Sequence, residues 1–242
     1  MFKIHVYDTV DEVSQKAFEV ILEVVKSGPV TLGLATGSSP VGMYARMVKD
    51  HEQHGTSYKH VTTYNLDEYV GLPKGHTQSY LTFMNENLFD FVDIERKNIH
   101  MPSAHTEDIK ADALAYSKAV LAAKVDLQVL GVGSNGHIGF NEPGTPFNSI
   151  THVVALKDET RQDNARFFND LSEVPEYAVS MGITEIMAAK KILMIATGKK
   201  KAVAIRSMVK DPISTDSPCT ILQNHPDVTL VLDKEAASLL ND

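Results

Sequence analysis

Apolar positions along the chain switch repeatedly between two periods, and the switching predicts the architecture. Residues 2–7, "FKIHVY", are rich in Ile, Val and aromatic side chains and read as a strand. Val13, Ala17, Phe18, Ile21, Leu22 and Val25 then recur at helical spacing until Gly28 and Pro29 break the pattern. The exchange repeats downstream. Further strands are predicted over 30–36, 60–67, 125–133, 151–156, 191–197 and 227–233. Helices are predicted from about Pro40 to Glu52 and over 78–92, 107–124, 158–168 and 198–211, with a turn and a helix over 175–190. Pro40 suits a first helical turn, where its missing N–H costs nothing. Short β-runs joined by helical crossovers imply an α/β fold with a doubly wound, mostly parallel sheet flanked by helices. No repeat, low-complexity tract or linker interrupts residues 1–242, so one domain is expected. Ligands of such sheets bind beyond the carboxyl ends of the strands. Four polar loops should therefore converge there: 36–39, 65–69, 133–142 and 197–201.

Composition narrows the classes. With 43% of its 242 residues hydrophobic and 22% charged, the chain can bury a full core behind an ordinary surface. No apolar run approaches the ~20 residues a membrane helix needs, and "MFKIHVYD" lacks the basic-then-apolar build of an export signal. The one cysteine, Cys219, excludes an internal disulfide framework and suits a reducing compartment. A cytoplasmic protein without membrane contacts is expected. The thiol itself reads as a small buried hydrophobe rather than a nucleophile. A formal charge of −8 argues against a nucleic-acid partner, so any anion bound must meet local cations.

Each loop has a bland and a functional reading. "LATGSSP" (34–40) is either a capped turn or a phosphate cradle made of helix-start N–H groups and the hydroxyls of Thr36, Ser38 and Ser39. "YNLDEYVGLP" (64–73) sets Asp67 and Glu68 at a strand end, as a solvated turn or as a carboxylate able to take a carbon-bound proton. "GVGSNGHIGFNEP" (131–143) is a tight turn with a satisfied histidine, or a relay. In the relay His137 trades protons near neutrality while Glu142 or Asn135 fixes its tautomer. A metal site is disfavoured, because the other histidines are scattered and no zinc-type spacing occurs. Ser134 does not sit in a G-x-S-x-G elbow. In "ATGKKKAVAIRS" (196–207) three lysines crowd a helix start, which the helix dipole disfavours unless an anion lies between them; the bland reading is a solvated basic turn at Lys199 and Lys200. Arg166 in "QDNARFF" is a surface arginine or a two-pronged phosphate clamp.

Five of these words stand in one order: "GLATGSSP" (33–40), "YNLDEYVGL" (64–72), "GVGSNGHIGFNEP" (131–143), "DETRQDNARFF" (158–168) and "GKKKAVA" (198–204). In order and spacing over nearly the whole chain they resemble the glucosamine-6-phosphate deaminase family, of the Rossmann-like, sugar-phosphate isomerase–like α/β folds. The resemblance implies conversion of glucosamine 6-phosphate and water to fructose 6-phosphate and ammonia in amino-sugar catabolism, with no cofactor, metal or redox step. It implies that Asp67 moves the C2 proton, that His137 assists opening of the pyranose ring, and that Glu142 and Asn135 orient His137. It also implies that Gly37, Ser38, Arg166 and Lys201 hold the phosphate, supported by Thr36 and Ser39.

Two departures bear on that pattern. Many members carry aspartate where this chain has Asn135, so the imidazole is expected to be a weaker base than an aspartate-paired one. The longer, hexameric, allosteric members carry basic effector-binding residues where His152 and Val154 stand here. A monomer or small homo-oligomer without that activation is therefore expected. Three alternatives keep the phosphate loops. A 6-phosphogluconolactonase needs no C2 base and lacks the "FNEP" and "NLDEY" words. A sugar-phosphate sensor usually carries an added DNA-binding domain. A related isomerase would act on another amino-sugar phosphate.

Overall fold

The computed structural model describes residues 2–104, 106–157, 161, 162, 165, 168 and 170–240. Strand β1 (Lys3–Tyr7) leads through Thr9 into helix α1 (Val10–Val25). Local chemistry fixes that start. Thr9 Oγ1 accepts from the Glu12 amide at 3.2 Å while the Glu12 carboxylate accepts from the Thr9 amide at 3.0 Å. Such a reciprocal cap contributes about 1 kcal/mol. Next come β2 (Val30–Leu34), α2 (Ser38–His54), β3 (Val61–Asn65) and β4 (Asp67–Tyr69). Helix α3 (Tyr80–Met84) runs on as a π-helical turn over Asn85–Phe89, ahead of β5 (Ile99–His100), α4 (Ile109–Ala123) and β6 (Leu127–Leu130). The last third holds β7 (His152–Ala155), β8 (Tyr177–Ser180), α5 (Ile183–Met187) and β9 (Ile192–Ala196). A 3-10 turn (Lys199–Lys201) then opens α6 (Ala202–Lys210), and β10 (Val228–Asp233) completes the set.

Seven strands form the central sheet in the order β1-β10-β9-β6-β2-β3-β5, and every pairing in it is parallel. The doubly wound sheet read from the sequence is therefore present. Its inner strands are covered on both faces, which is why β6 and β9 are buried at every position and read as unbroken apolar runs. Successive strands run outward from β2 through β3 and β5 on one side, and from β6 through β9 and β10 on the other. The crevice between the carboxyl ends of β2 and β6 is thus the topological switch point, where open α/β sheets bind ligands.

A second sheet departs from expectation. Strands β4, β8 and β7 form an antiparallel trio, with Asp67 opposite Ser180 and Tyr69 opposite Ala178. The strand predicted over 60–67 therefore ends at Asn65, and Asp67 opens a different strand. Leu66 is the pivot: its N–H donates to Leu34 of the main sheet at 3.0 Å, and its carbonyl accepts from the Met181 N–H at 2.6 Å. The stretch 175–190, read as a turn and a helix, contains β8 before α5. Strand β5 was not predicted, since two residues show no period. Of the helix predicted over 158–168, Arg161, Gln162 and Ala165 are helical, and most of its other positions, Arg166 included, lie outside the described residues. Among the described residues no helix is long and apolar enough to cross a membrane.

Candidate active site

A cavity of about 360 Å³ lies at the switch point. Thr36, Gly37, Ser38 and Ser39 line it from the β2–α2 turn, Asp67 from β4, Gly131–Ser134 and His137 from the turn after β6, and Lys201 from the start of α6. All four polar loops singled out in the sequence meet here.

The β2–α2 turn presents backbone rather than a cap. Gly37, at the N-cap of α2, has φ 90° and ψ −179°, a conformation open to glycine, and no side chain caps the helix. The first turn is thus left without a side-chain cap where Ser38 and Ser39 line the cavity, an arrangement that suits a phosphate. The turn at the start of α6 has carboxylate partners of its own. The N–H of Gly198 donates to Asp233 Oδ2 at 2.8 Å and that of Lys199 to Glu235 Oε2 at 3.2 Å. Two carboxylates thus take backbone N–H groups at this turn. Lys199 and Lys200 are exposed, and only Lys201 lines the cavity.

Asp67 is buried, and its pKa is pushed up to about 8, first by burial and then by the charge of Glu68. The adjacent carboxylates do not form a solvated turn. Glu68 turns away from the cavity and accepts from the backbone N–H groups of Tyr69, Tyr80 and Leu81 at 2.8–2.9 Å.

His137 Nδ1 stands 3.4 Å from Glu142 Oε1, close enough for a charge pair though not aligned as a hydrogen bond. Glu142 Oε2 accepts from Asn135 Nδ2 at 2.8 Å, and Asn135 Oδ1 accepts from the His137 backbone N–H at 3.1 Å. Asn135 therefore does not accept from the imidazole, as the sequence reading allowed. It holds Glu142 and the turn, and the negative charge facing the ring belongs to Glu142. Gly133 lies directly under the ring: a Cβ built on it would sit 2.3–2.5 Å from Cε1, Nδ1 and Nε2 of His137. Cys219, behind this turn, is buried with its thiol pushed up to about 11 by burial, which fits an inert side chain.

One wall was missed by the sequence reading. Thr77, Gln78, Tyr80, Phe83 and Glu86 also line the cavity. Tyr80 packs on Tyr69 with ring centroids 4.7 Å apart, and Phe168 meets Tyr69 edge-on at 6.0 Å. The apolar spacing of 78–92 signalled a packed helix and carried no sign that one face borders a ligand space. Among the described residues no group of histidine, cysteine and carboxylate side chains could hold a metal ion.

A family model described as glucosamine-6-phosphate isomerases/6-phosphogluconolactonase matches residues 6–231. The chain belongs to this family. Within the glucosamine-6-phosphate isomerase/6-phosphogluconolactonase family, it is 48% identical to a glucosamine-6-phosphate deaminase of Lactobacillus delbrueckii subsp. bulgaricus, over 98% of this chain and 99% of that one. It is 47% identical to a glucosamine-6-phosphate deaminase of Halalkalibacterium halodurans, over 93% of each. Among solved structures, a monomeric glucosamine-6-phosphate deaminase superposes with a TM-score of 0.95 at 42% identity, covering 98% of this chain and 99% of that one. A 6-phosphogluconolactonase from Trypanosoma brucei shares the fold at 22% identity and a TM-score of 0.81, covering 99% of each chain.

Proposed function

We infer that this chain is a glucosamine-6-phosphate deaminase: it converts glucosamine 6-phosphate and water to fructose 6-phosphate and ammonia. The observation that carries the reading within the family is Asp67, a buried carboxyl with raised proton affinity in the same cavity as His137 and the phosphate-type turn. Lactone hydrolysis removes no carbon-bound proton, whereas an aldose–ketose shift through an enolamine needs a base at C2.

The steps follow from the chemistry of the sugar. The pyranose has no carbonyl, so C2–H is not acidic until the ring opens. His137, backed at Nδ1 by Glu142, uses Nε2 to move the anomeric proton to the ring oxygen, which frees the C1 aldehyde. Asp67 then takes the C2 proton, giving an enolamine, and protonation at C1 turns this into an imine at C2. Water adds to C2 and ammonia leaves, so every atom of both products comes from the sugar and one water. The β2–α2 turn (Thr36, Gly37, Ser38, Ser39) and Lys201 hold the phosphate dianion, joined by Arg166. Lys201→Ala is expected to raise KM by about 10- to 30-fold with a smaller fall in kcat, since a charge-assisted hydrogen bond contributes about 1.5–3 kcal/mol. Equal KM values in steady-state assays would remove Lys201 from the phosphate site.

The deciding assay offers glucosamine 6-phosphate to the purified protein and measures ammonia and fructose 6-phosphate together. Equimolar appearance supports the reading. Isomerised sugar without ammonia rejects deamination, and turnover of 6-phosphogluconolactone alone favours the lactonase. One catalytic domain over 1–242 is supported by a core cluster running from Val13 to Ala237. A cytoplasmic monomer fits the monomeric relative and the single buried thiol. With His152 and Val154 in place of basic effector ligands, the rate should depend hyperbolically on substrate and be unchanged by N-acetylglucosamine 6-phosphate. Sigmoidal kinetics relieved by that sugar would sink this part of the proposal.

A further inference from the structure

We propose that Glu68 is the positioning residue of this site: its carboxylate, pinned by three backbone N–H groups, locks α3 to β4 and keeps a fixed negative charge beside Asp67. The inference rests on the reaction proposed above.

Adjacent residues of a strand point to opposite faces, so Asp67 and Glu68 cannot act as a pair sharing one proton. Asp67 faces the cavity, and Glu68 faces the start of α3. There Glu68 Oε1 accepts from the Tyr69 N–H at 2.9 Å and the Tyr80 N–H at 2.8 Å, and Oε2 accepts from the Leu81 N–H at 2.9 Å. Tyr80 and Leu81 open the helix, where N–H groups lack intrahelical partners, and Ser79 Oγ takes the next one, from Thr82, at 3.1 Å. Three donors at a helix N-terminus suit a carboxylate; the O–H of a carboxylic acid would confront one of them. The same clamp aims Tyr80 into the cavity against Tyr69.

Glu86 lines the same cavity and Glu142 faces His137, but burial and the Glu68 charge are what raise Asp67. Tyr80 from α3 and Tyr116 from α4 both feel Asp67, but burial keeps their phenols protonated well beyond the ordinary range. Tyr69 on β4 packs against Tyr80, and His137 and Lys201 lie around the same cavity. Glu68 is thus the fixed anion next to Asp67, and it acts with burial to make Asp67 hold a proton up to about pH 8. The raised affinity makes the ionised Asp67 carboxylate a stronger base toward the C2 proton. Two neighbouring carboxylates therefore divide the work, one as base and one as fixed charge.

The test compares Glu68→Gln and Glu68→Asp in the full chain. Removing the charge in E68Q should move the acid limb of kcat/KM to lower pH by about one unit, so activity at pH 6.5 relative to the plateau rises about tenfold. The plateau kcat should fall, because the amide donates where the helix N–H groups need acceptors. E68D keeps the charge, so its limb should stay in place while kcat falls through the shortened clamp. An unmoved limb in E68Q, or a one-unit shift in E68D, overturns the proposal. Difference infrared titration of the Asp67 carboxyl, each protein against its Asp67→Asn counterpart, should give the same shifts without turnover. That readout still decides the role of Glu68 if the wild-type protein releases no ammonia and the reaction proposed above is wrong.

Discussion

Asp67→Asn is expected to lower kcat for ammonia release by roughly 10²- to 10⁴-fold, the span a well-placed general base contributes. KM should stay within a few-fold, because the phosphate turn and Lys201 are untouched. Asparagine matches the shape of the carboxyl and cannot accept the C2 proton, so exchange of the C2 hydrogen with solvent should vanish along with turnover. Exchange at the native rate would place the base elsewhere. The substitution should also change stability in a direction that a merely damaged protein would not show. Asp67 has a folded-state pKa of about 8 against an ordinary value of 3.8, so the folded state binds the extra proton between those limits. Stability contributed by the protonated form is complete below about pH 4 and is lost as pH rises through 8, a loss on the order of several kcal/mol. The asparagine variant has no such loss. Its melting temperature should gain on the wild type between pH 6 and 9, and a constant difference across that window would contradict the raised proton affinity.

Much of this site could be read from residues alone because its parts sit where strands end. The β-run and glycine turn at 30–39 and the apolar run before Gly131 mark two parallel strands whose loops must approach each other. What stayed hidden depends on partners distant in sequence. Asp67 looks like the tail of β3, and only its pairing with Ser180, more than a hundred residues on, makes it the first residue of another strand. Glu68 looks like a twin of Asp67 until the start of α3 is placed against it. At the lysines of 199–201 a solvated turn and an anion site were both open, because Asp233 and Glu235, which take N–H groups there, lie far on in the sequence. Asn135 was given the imidazole as partner, whereas the fold gives it Glu142 and a backbone amide. In each case the residue type was informative and its partner was not. Tyr80 and Phe83 show a different blindness: an apolar face that packs a core and one that walls a ligand space have the same period.

Gly133→Ala is expected to cost about 10²- to 10³-fold in kcat while leaving the fold intact. A Cβ at this position would lie 2.3 Å from His137 Cε1, 2.4 Å from Nδ1 and 2.5 Å from Nε2, so the imidazole must move. Gly133 is not among the glycines with positive φ, so alanine meets no backbone strain there. The three nearest atoms all belong to the catalytic ring, a side chain that can swing away at small cost to stability. Swinging away separates Nδ1 from Glu142 and takes Nε2 out of the cavity, and a displacement near 1 Å is enough to cost about a hundredfold in rate. The damage should fall on ring opening. An open-chain amino-alditol phosphate, which has no ring to open, should therefore bind to G133A nearly as tightly as to the wild type, and the melting temperature should shift by only a few degrees. Loss of binding together with rate would mean that the glycine supports the turn as a whole. Retained rate would mean that His137 does not act from the position in which Gly133 holds it.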